Sequence, residues 1–202
     1  MSNPLHKIEY GLYALSTKNG DKDNACIVNT FMQLSSNSPT TASVAVSKAS
    51  LTHDMIIESG LFNVSVIAID ASFDFFERLG LKSGRTTNKF ADCKNIYRST
   101  NGIIFIKREC NAYFSLKVTN AIDVDTHTLF IGKIQESKHL SHKPSMTYSH
   151  YHANIKPQPK EANKMGYRCT ICNYVLKKET LPTDFICPLC SHGADDFEKI
   201  NN

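Results

Sequence analysis

Cys169, Cys172, Cys187 and Cys190 are four of the chain's seven cysteines, and they form two C-x-x-C pairs inside CTICNYVLKKETLPTDFICPLC. Each pair lets two thiolates turn back on one ion, and two such knuckles close a tetrahedral S4 site. That ligand set suits zinc or iron. An S4 site offers no open position to a substrate, so iron there would transfer single electrons, whereas zinc would only brace the chain. The gap of fourteen residues between the pairs falls just short of the usual zinc-ribbon range. Cys26, Cys93 and Cys110 stand outside any C-x-x-C pair and read as small buried or loop residues rather than nucleophiles.

A second set of candidates lies upstream. In SVAVSKASLTHDMIIESG a strand runs into Lys48, Ser50 and Thr52, with Thr52 as the expected N-cap of a helix ending at Gly60. Strand end, hydroxyls, lysine and helix N-terminus together make an anion site that suits a phosphate monoester. An ordinary strand-to-helix turn with a surface lysine has the same sequence. Asn29, Thr30 and Gln33 interrupt a strand-like run with polar groups able to bond a ring edge or a polyol. Lys89 and Phe90, in the polar SGRTTNKF stretch, offer a cation and a stacking ring, and His127 opens a strand. No nucleophile elbow, P-loop or GxGxxG is present, and catalytic side chains are not identified.

The elements that position these groups follow from periodicity. Residues 7–17, 25–35, 41–47 and 61–70 read as strands, with Asn19-Gly20 turning the first hairpin. In residues 41–47, Ala42, Val44 and Val46 share one face. Residues 51–60 and the SFDFFERLGL stretch read as helices, and residues 83–101 as a polar loop. Two or three strands follow from Asn101 to Asp125, and another from His127 to Leu140. Many strands with short helices predict a mainly β architecture, an antiparallel barrel or sandwich. Residues 154–164, with two prolines, read as a flexible linker spanning about 17–20 Å root-mean-square. They separate residues 1–153 from residues 165–202, a unit too small to fold without metal ligation.

Composition bounds the function. Hydrophobic residues make up 41% and charged residues 21% of the 202, the profile of a globular protein. No apolar run is long enough for a membrane span, and MSNPLHKIEYG lacks the pattern of a secretion signal, so a cytoplasmic location is expected. Residues 164–202 balance five Lys/Arg against five Asp/Glu, which leaves the net +4 on residues 1–163. This asymmetry hints at docking between the two units. No basic-aromatic stripe points to nucleic acid.

GYRCTICNY and DFICPLCSHGADDF resemble rubredoxin in a compact form. Tyr167, Tyr174, Phe185 and Phe197 match its aromatic shell, and Pro188 matches its C-P-x-C. Asn173 and Ser191 stand where that family usually has glycine. Upstream, LHKIEYGLYALST, NACIVNTFMQLSS, VAVSKASLTHDMI, GRTTNKF, THTLFIGKI and PSMTYSHYH resemble, in order and spacing, the flavin reductase-like FMN-binding split-barrel family. Ser47 stands where that pattern often has Asn.

The resemblance implies a homodimer with non-covalent FMN. Asn29, Thr30 and Gln33 would line the isoalloxazine and ribityl chain, Lys48, Ser50 and Thr52 would hold the phosphate, and Lys89, Phe90 and His127 would complete the pocket. The fusion resembles the high-molecular-weight rubredoxins. That implies an oxidoreductase passing electrons from NAD(P)H through FMN to an Fe(Cys)4 centre, then to a redox partner such as a diiron flavoprotein that reduces oxygen or nitric oxide. Two alternatives stay open: an electron carrier that NAD(P)H does not reduce, and a non-enzymatic barrel with a structural zinc ribbon.

Overall fold

Asn19 and Lys22 face each other across a two-residue turn in which Gly20 takes φ +55°, a conformation glycine adopts without a Cβ penalty. This turn joins β1 (Tyr13–Asn19) to β2 (Lys22–Val28) in a computed structural model that describes residues 7–91, 93, 96–157, 166–171, 174–187 and 192–200. The first strand begins later than its hydrophobic pattern predicts. Gly11 bridges Thr147 instead, and the Leu12 amide bonds the Met146 carbonyl, so the segment before Tyr13 is held by residues that come much later in the chain.

The expected strand over residues 25–35 is broken. β2 leaves its partner at Val28, the chain bends through residues 29–31, and β3 (Met32–Gln33) pairs instead with β4 (Thr41–Ser47). The remaining long strands are β5 (Leu61–Ile67), β8 (Cys110–Val124) and β9 (His127–His139), all antiparallel to their neighbours. The sheet order is β2-β1-β5-β8-β9-β4-β3. Because β2 and β3 are consecutive, the bend carries the chain from one sheet edge to the other and folds the sheet into a split barrel. The short hairpin β6 (Tyr97–Arg98) and β7 (Ile104–Phe105) lies outside that sheet.

Alternation along the strands fills the interior. Ala42, Val44 and Val46 point inward as their spacing predicts, joined by Leu15, Phe62, Val64, Leu116 and Phe130. Helix α1 (Leu51–Ser59) lies over this core through Ile56, and packs against β1, β2 and β4. Gly60 ends it in the left-handed conformation, its amide bonded to Ile56 O at 2.9 Å. Helix α2 (Phe73–Phe76) continues as a wider π turn over Glu77–Leu81, and buries Phe75, Phe76 and Leu79 in a second core with Ile67, Phe90 and Met146.

After β9, α3 (Tyr148–His150) continues as a π turn through Ile155. The first residues of the expected linker are therefore helical, and Lys156 is buried. Its Nζ donates to Thr170 O at 2.7 Å, which ties the end of this turn to the cysteine-bearing segment. That segment forms a three-stranded sheet, β11-β10-β12, from β10 (Tyr167–Cys169), β11 (Val175–Leu176) and β12 (Phe197–Lys199). Among the described residues, no helix is long and apolar enough to cross a membrane.

Candidate functional site

The N-cap of α1 is Ser50, not Thr52. Its Oγ accepts from the Thr52 amide at 3.2 Å, and its backbone is extended as a cap requires. One position sets which side each hydroxyl faces. Thr52 becomes the second residue of the helix, is fully buried, and accepts a hydrogen bond from Asn24 Nδ2 at 2.9 Å. Its hydroxyl serves the barrel interior, whereas Ser50 stays at the rim.

Strand β4 delivers Ser47 opposite His127 at the start of β9, and the Lys48 amide bonds Thr126 O at 3.0 Å. Lys48, Ser50 and His127 are thus gathered at one mouth of the barrel, beside the positive end of α1. Lys48 Nζ bonds both oxygens of Asp123, at 2.7 and 2.6 Å. Asp123 is 75% exposed, and an exposed pair contributes only about 0–1 kcal/mol, so an incoming phosphate can displace it. His127 Nδ1 lies 2.9 Å from Thr126 Oγ1.

Residues 29–33 line the seam. Thr30 Oγ1 donates to Ala45 O at 2.9 Å and accepts from Ala45 N at 3.1 Å. A side-chain hydroxyl thus does for Ala45 what a neighbouring strand would do, where the backbone has bent away. Asn29 sits half-buried at the bend, and Gln33, exposed, donates to Ser35 O at 2.8 Å. Of this trio, Thr30 has its hydroxyl committed to the fold.

The loop over residues 83–91 corrects another expectation. Lys89 is 6% exposed, and its Nζ donates to Ala25 O and Leu79 O, both at 2.7 Å. Burial lowers its pKa by disfavouring the charged form. Phe90 packs into the second core. Lys89 is therefore an internal brace, and Arg85 is the loop's cation nearest the mouth, its Nη2 2.7 Å from Asp54 Oδ2 in the first turn of α1. His53, also in that turn, places Nε2 2.9 Å from Thr128 Oγ1. Neither Arg85 nor His53 has a local pattern that singles it out, because each partner is remote or set by the helix phase.

The cysteine knuckles repeat one geometry. Cys169 N bonds Tyr174 O and Cys187 N bonds His192 O, each five residues on and each at 2.8 Å. Both sulfur-bearing residues are buried. Tyr174, Phe185 and Phe197 form a ring-packed wall, with centroids 6.5 and 5.3 Å apart along the series. Two buried cysteines that make the same backbone bond beside aromatic rings fit two of the four ligands of an S4 metal. Cys172, Cys190, Asn173, Pro188 and Ser191 lie outside the described residues. Burial raises the pKa of Cys26 and Cys110, which holds them as thiols.

Residues 5–157 match the flavin reductase like domain family. The chain belongs to that family. Residues 167–198 match the rubrerythrin, rubredoxin-like domain. The chain is 33% identical to a high molecular weight rubredoxin of Moorella thermoacetica, over 97% of this chain and 98% of the relative. It is 32% identical to a ferric-chelate reductase (NAD(P)H) of Archaeoglobus fulgidus, over 73% of this chain and 86% of the relative. Its fold is similar to that of an FMN-binding protein from Thermus thermophilus, with TM-score 0.61 and 19% identity over 69% of this chain and 75% of that one. The chain is thus a flavin-dependent oxidoreductase with a rubredoxin-like domain at its C-terminal side, as its motifs imply.

Proposed function

We propose that the chain takes electrons from NAD(P)H into a bound FMN, passes them to one iron held by Cys169, Cys172, Cys187 and Cys190, and delivers them to a redox protein. The observation that carries this reading is the occurrence, in one chain, of the flavin reductase family match and of a rubredoxin-like domain whose Cys169 and Cys187 are buried and make the same backbone bond. When bound, FMN accepts the two electrons of a hydride and releases them singly, which matches a nicotinamide donor to a one-electron acceptor.

The residues at the mouth suit that cofactor. The phosphate would sit at the N-terminus of α1, held by Lys48 and the Ser50 hydroxyl, with Arg85 as a further cation. Asn29, Gln33 and His127 would border the ring and ribityl chain, while Thr30, Thr52 and Lys89 would shape the wall behind them; Phe90 lies instead among Arg78, Tyr97 and Ile104. The barrel's net positive charge favours an anionic cofactor and an iron domain whose four thiolates add negative charge to a formally neutral segment. Lys156 contributes by holding the carbonyl next to Cys169 against the end of the barrel's last helical turn. Exposed Met32, Leu34, Ile122 and Val124 offer apolar surface to a second copy, which supports a homodimer. A diiron flavoprotein is the proposed acceptor.

The test is an anaerobic titration with NADH followed by visible absorption and metal analysis. Flavin and ferric-thiolate bands that both bleach, with one iron per chain, are expected. Flavin that NADH does not reduce would make the chain a carrier fed by another protein. Stoichiometric zinc without iron, in protein expressed with iron supplied, would reduce the tail to a structural unit.

A further inference from the structure

At the opposite end of the barrel from Ser47 and His127, a cleft of about 720 Å³ opens beside the β6–β7 hairpin. It lies just ahead of Cys110, whereas the candidate flavin mouth lies near Val124 at the other end of β8, on the order of 40 Å away along the strand. The walls combine two kinds of chemistry. Tyr97 and Phe105 present rings with centroids 5.9 Å apart, and Phe105 is itself held in place by stacking on Tyr113 at 4.0 Å. Arg78, Lys107 and Arg108 supply three cations.

Among the described residues, none of the three has a carboxylate within ion-pair distance, whereas Arg85, Arg98 and Lys143 all do. Arg78 Nε is buried and has no hydrogen-bond partner among the described residues. A buried guanidinium N–H left unbonded is destabilising, and an incoming acceptor would remove that cost. Lys107 Nζ rests 5.0 Å from the centre of the Tyr97 ring, a weak contact at this exposed position. Glu109, the carboxylate on the cleft, is turned to Ser72, its Oε1 accepting from Ser72 N at 3.3 Å and Ser72 Oγ at 2.8 Å.

We propose that this cleft is a nucleotide-binding site distinct from the flavin mouth, taking a planar base against Tyr97 and Phe105 and a polyphosphate among Arg78, Lys107 and Arg108. Aromatic faces bind rings by stacking, and guanidinium groups match phosphate oxygens in paired geometry. The volume lies within the range of ordinary small-ligand sites. A concave, partly enclosed shape suits such a ligand better than it suits the flat surface of an acidic partner protein.

The experiment is calorimetric titration of the flavin-loaded protein with ADP, pyrophosphate and adenosine. ADP is expected to bind, and each fragment to bind more weakly by about tenfold or more, since each forfeits either the ring contact or the charged ones. Lys107→Glu with Arg108→Glu, both exposed positions, should weaken ADP by more than about tenfold, and Tyr97→Ala should weaken ADP but not pyrophosphate. Lys48→Ala, at the flavin mouth, should leave ADP affinity within about twofold. An unchanged unfolding midpoint in the double variant shows that it is folded. Absence of ADP binding overturns the proposal, as does binding that survives the double variant. Loss of ADP binding in Lys48→Ala would place the ligand at the flavin mouth instead. Pyrophosphate binding as tightly as ADP would remove the base from the recognition. These readouts are independent of electron transfer.

Discussion

Lys89→Met separates two roles that one lysine in this loop can have. If the ammonium held the FMN phosphate, its removal would weaken FMN by tenfold or more and leave the barrel's stability nearly unchanged. The structure instead commits Nζ to Ala25 O and Leu79 O, with the side chain 6% exposed. Two charge-assisted hydrogen bonds contribute about 3 kcal/mol at the lower end of their range. The lowered pKa shows that burial works against the charged form, which offsets part of that gain. Methionine keeps most of the volume but leaves both carbonyls without this donor. The net loss is therefore about 2 kcal/mol. With a slope of about 2 kcal/mol per molar, the barrel's urea midpoint should fall by about 1 M. FMN affinity, read by fluorescence quenching, should change by less than about threefold. A midpoint unchanged to within about 0.2 M, together with a tenfold loss of FMN affinity, would refute the reasoning and make Lys89 a contact of the FMN pocket.

Three further outcomes are expected. Thr30→Val keeps the shape at the barrel seam but strips Ala45 of both side-chain hydrogen bonds; it should cost about 2 kcal/mol in chemical denaturation, and a loss below about 0.5 kcal/mol would mean the seam is held otherwise. Glu136 has its pKa lowered by hydrogen bonds from the Thr100 hydroxyl, Tyr113 and the Thr100 amide, so the folded state binds its proton less readily than the unfolded chain. The stability it contributes is present above the ordinary glutamate pKa and is lost as pH falls through the lowered folded value; Glu136→Gln should flatten that acid limb, and an unaltered limb would rule this carboxylate out. Cys187→Ser removes a buried sulfur at a closed knuckle, and should abolish metal binding and the fold of residues 166–200 while FMN stays bound, as read by metal analysis and flavin absorption; a metal retained at full stoichiometry would overturn the ligand assignment.

The sequence by itself determined whatever depends on local pattern. Alternation placed β4 and β5, Gly60 ended α1, Asn19-Gly20 turned the first hairpin, and the two C-x-x-C pairs announced their chemistry before any fold was known. These features are legible because a strand's inward face, a left-handed cap and a paired ligand each depend on neighbours a few residues away. Tertiary structure decided the rest. Residues 25–35 read as one strand, and only the closing of the barrel shows why the chain bends at Asn29 and why Thr30 must carry a hydroxyl there. Ser50 and Thr52 are both good caps by composition; the phase of α1 against β2 chose Ser50 and turned Thr52 toward Asn24. Lys89 and Arg85 are equally basic on the page, yet the loop's path buries one on two carbonyls and leaves the other beside Asp54. A charge's role is set by what faces it, and in this barrel the facing groups lie tens of residues away, a distance that no local pattern encodes.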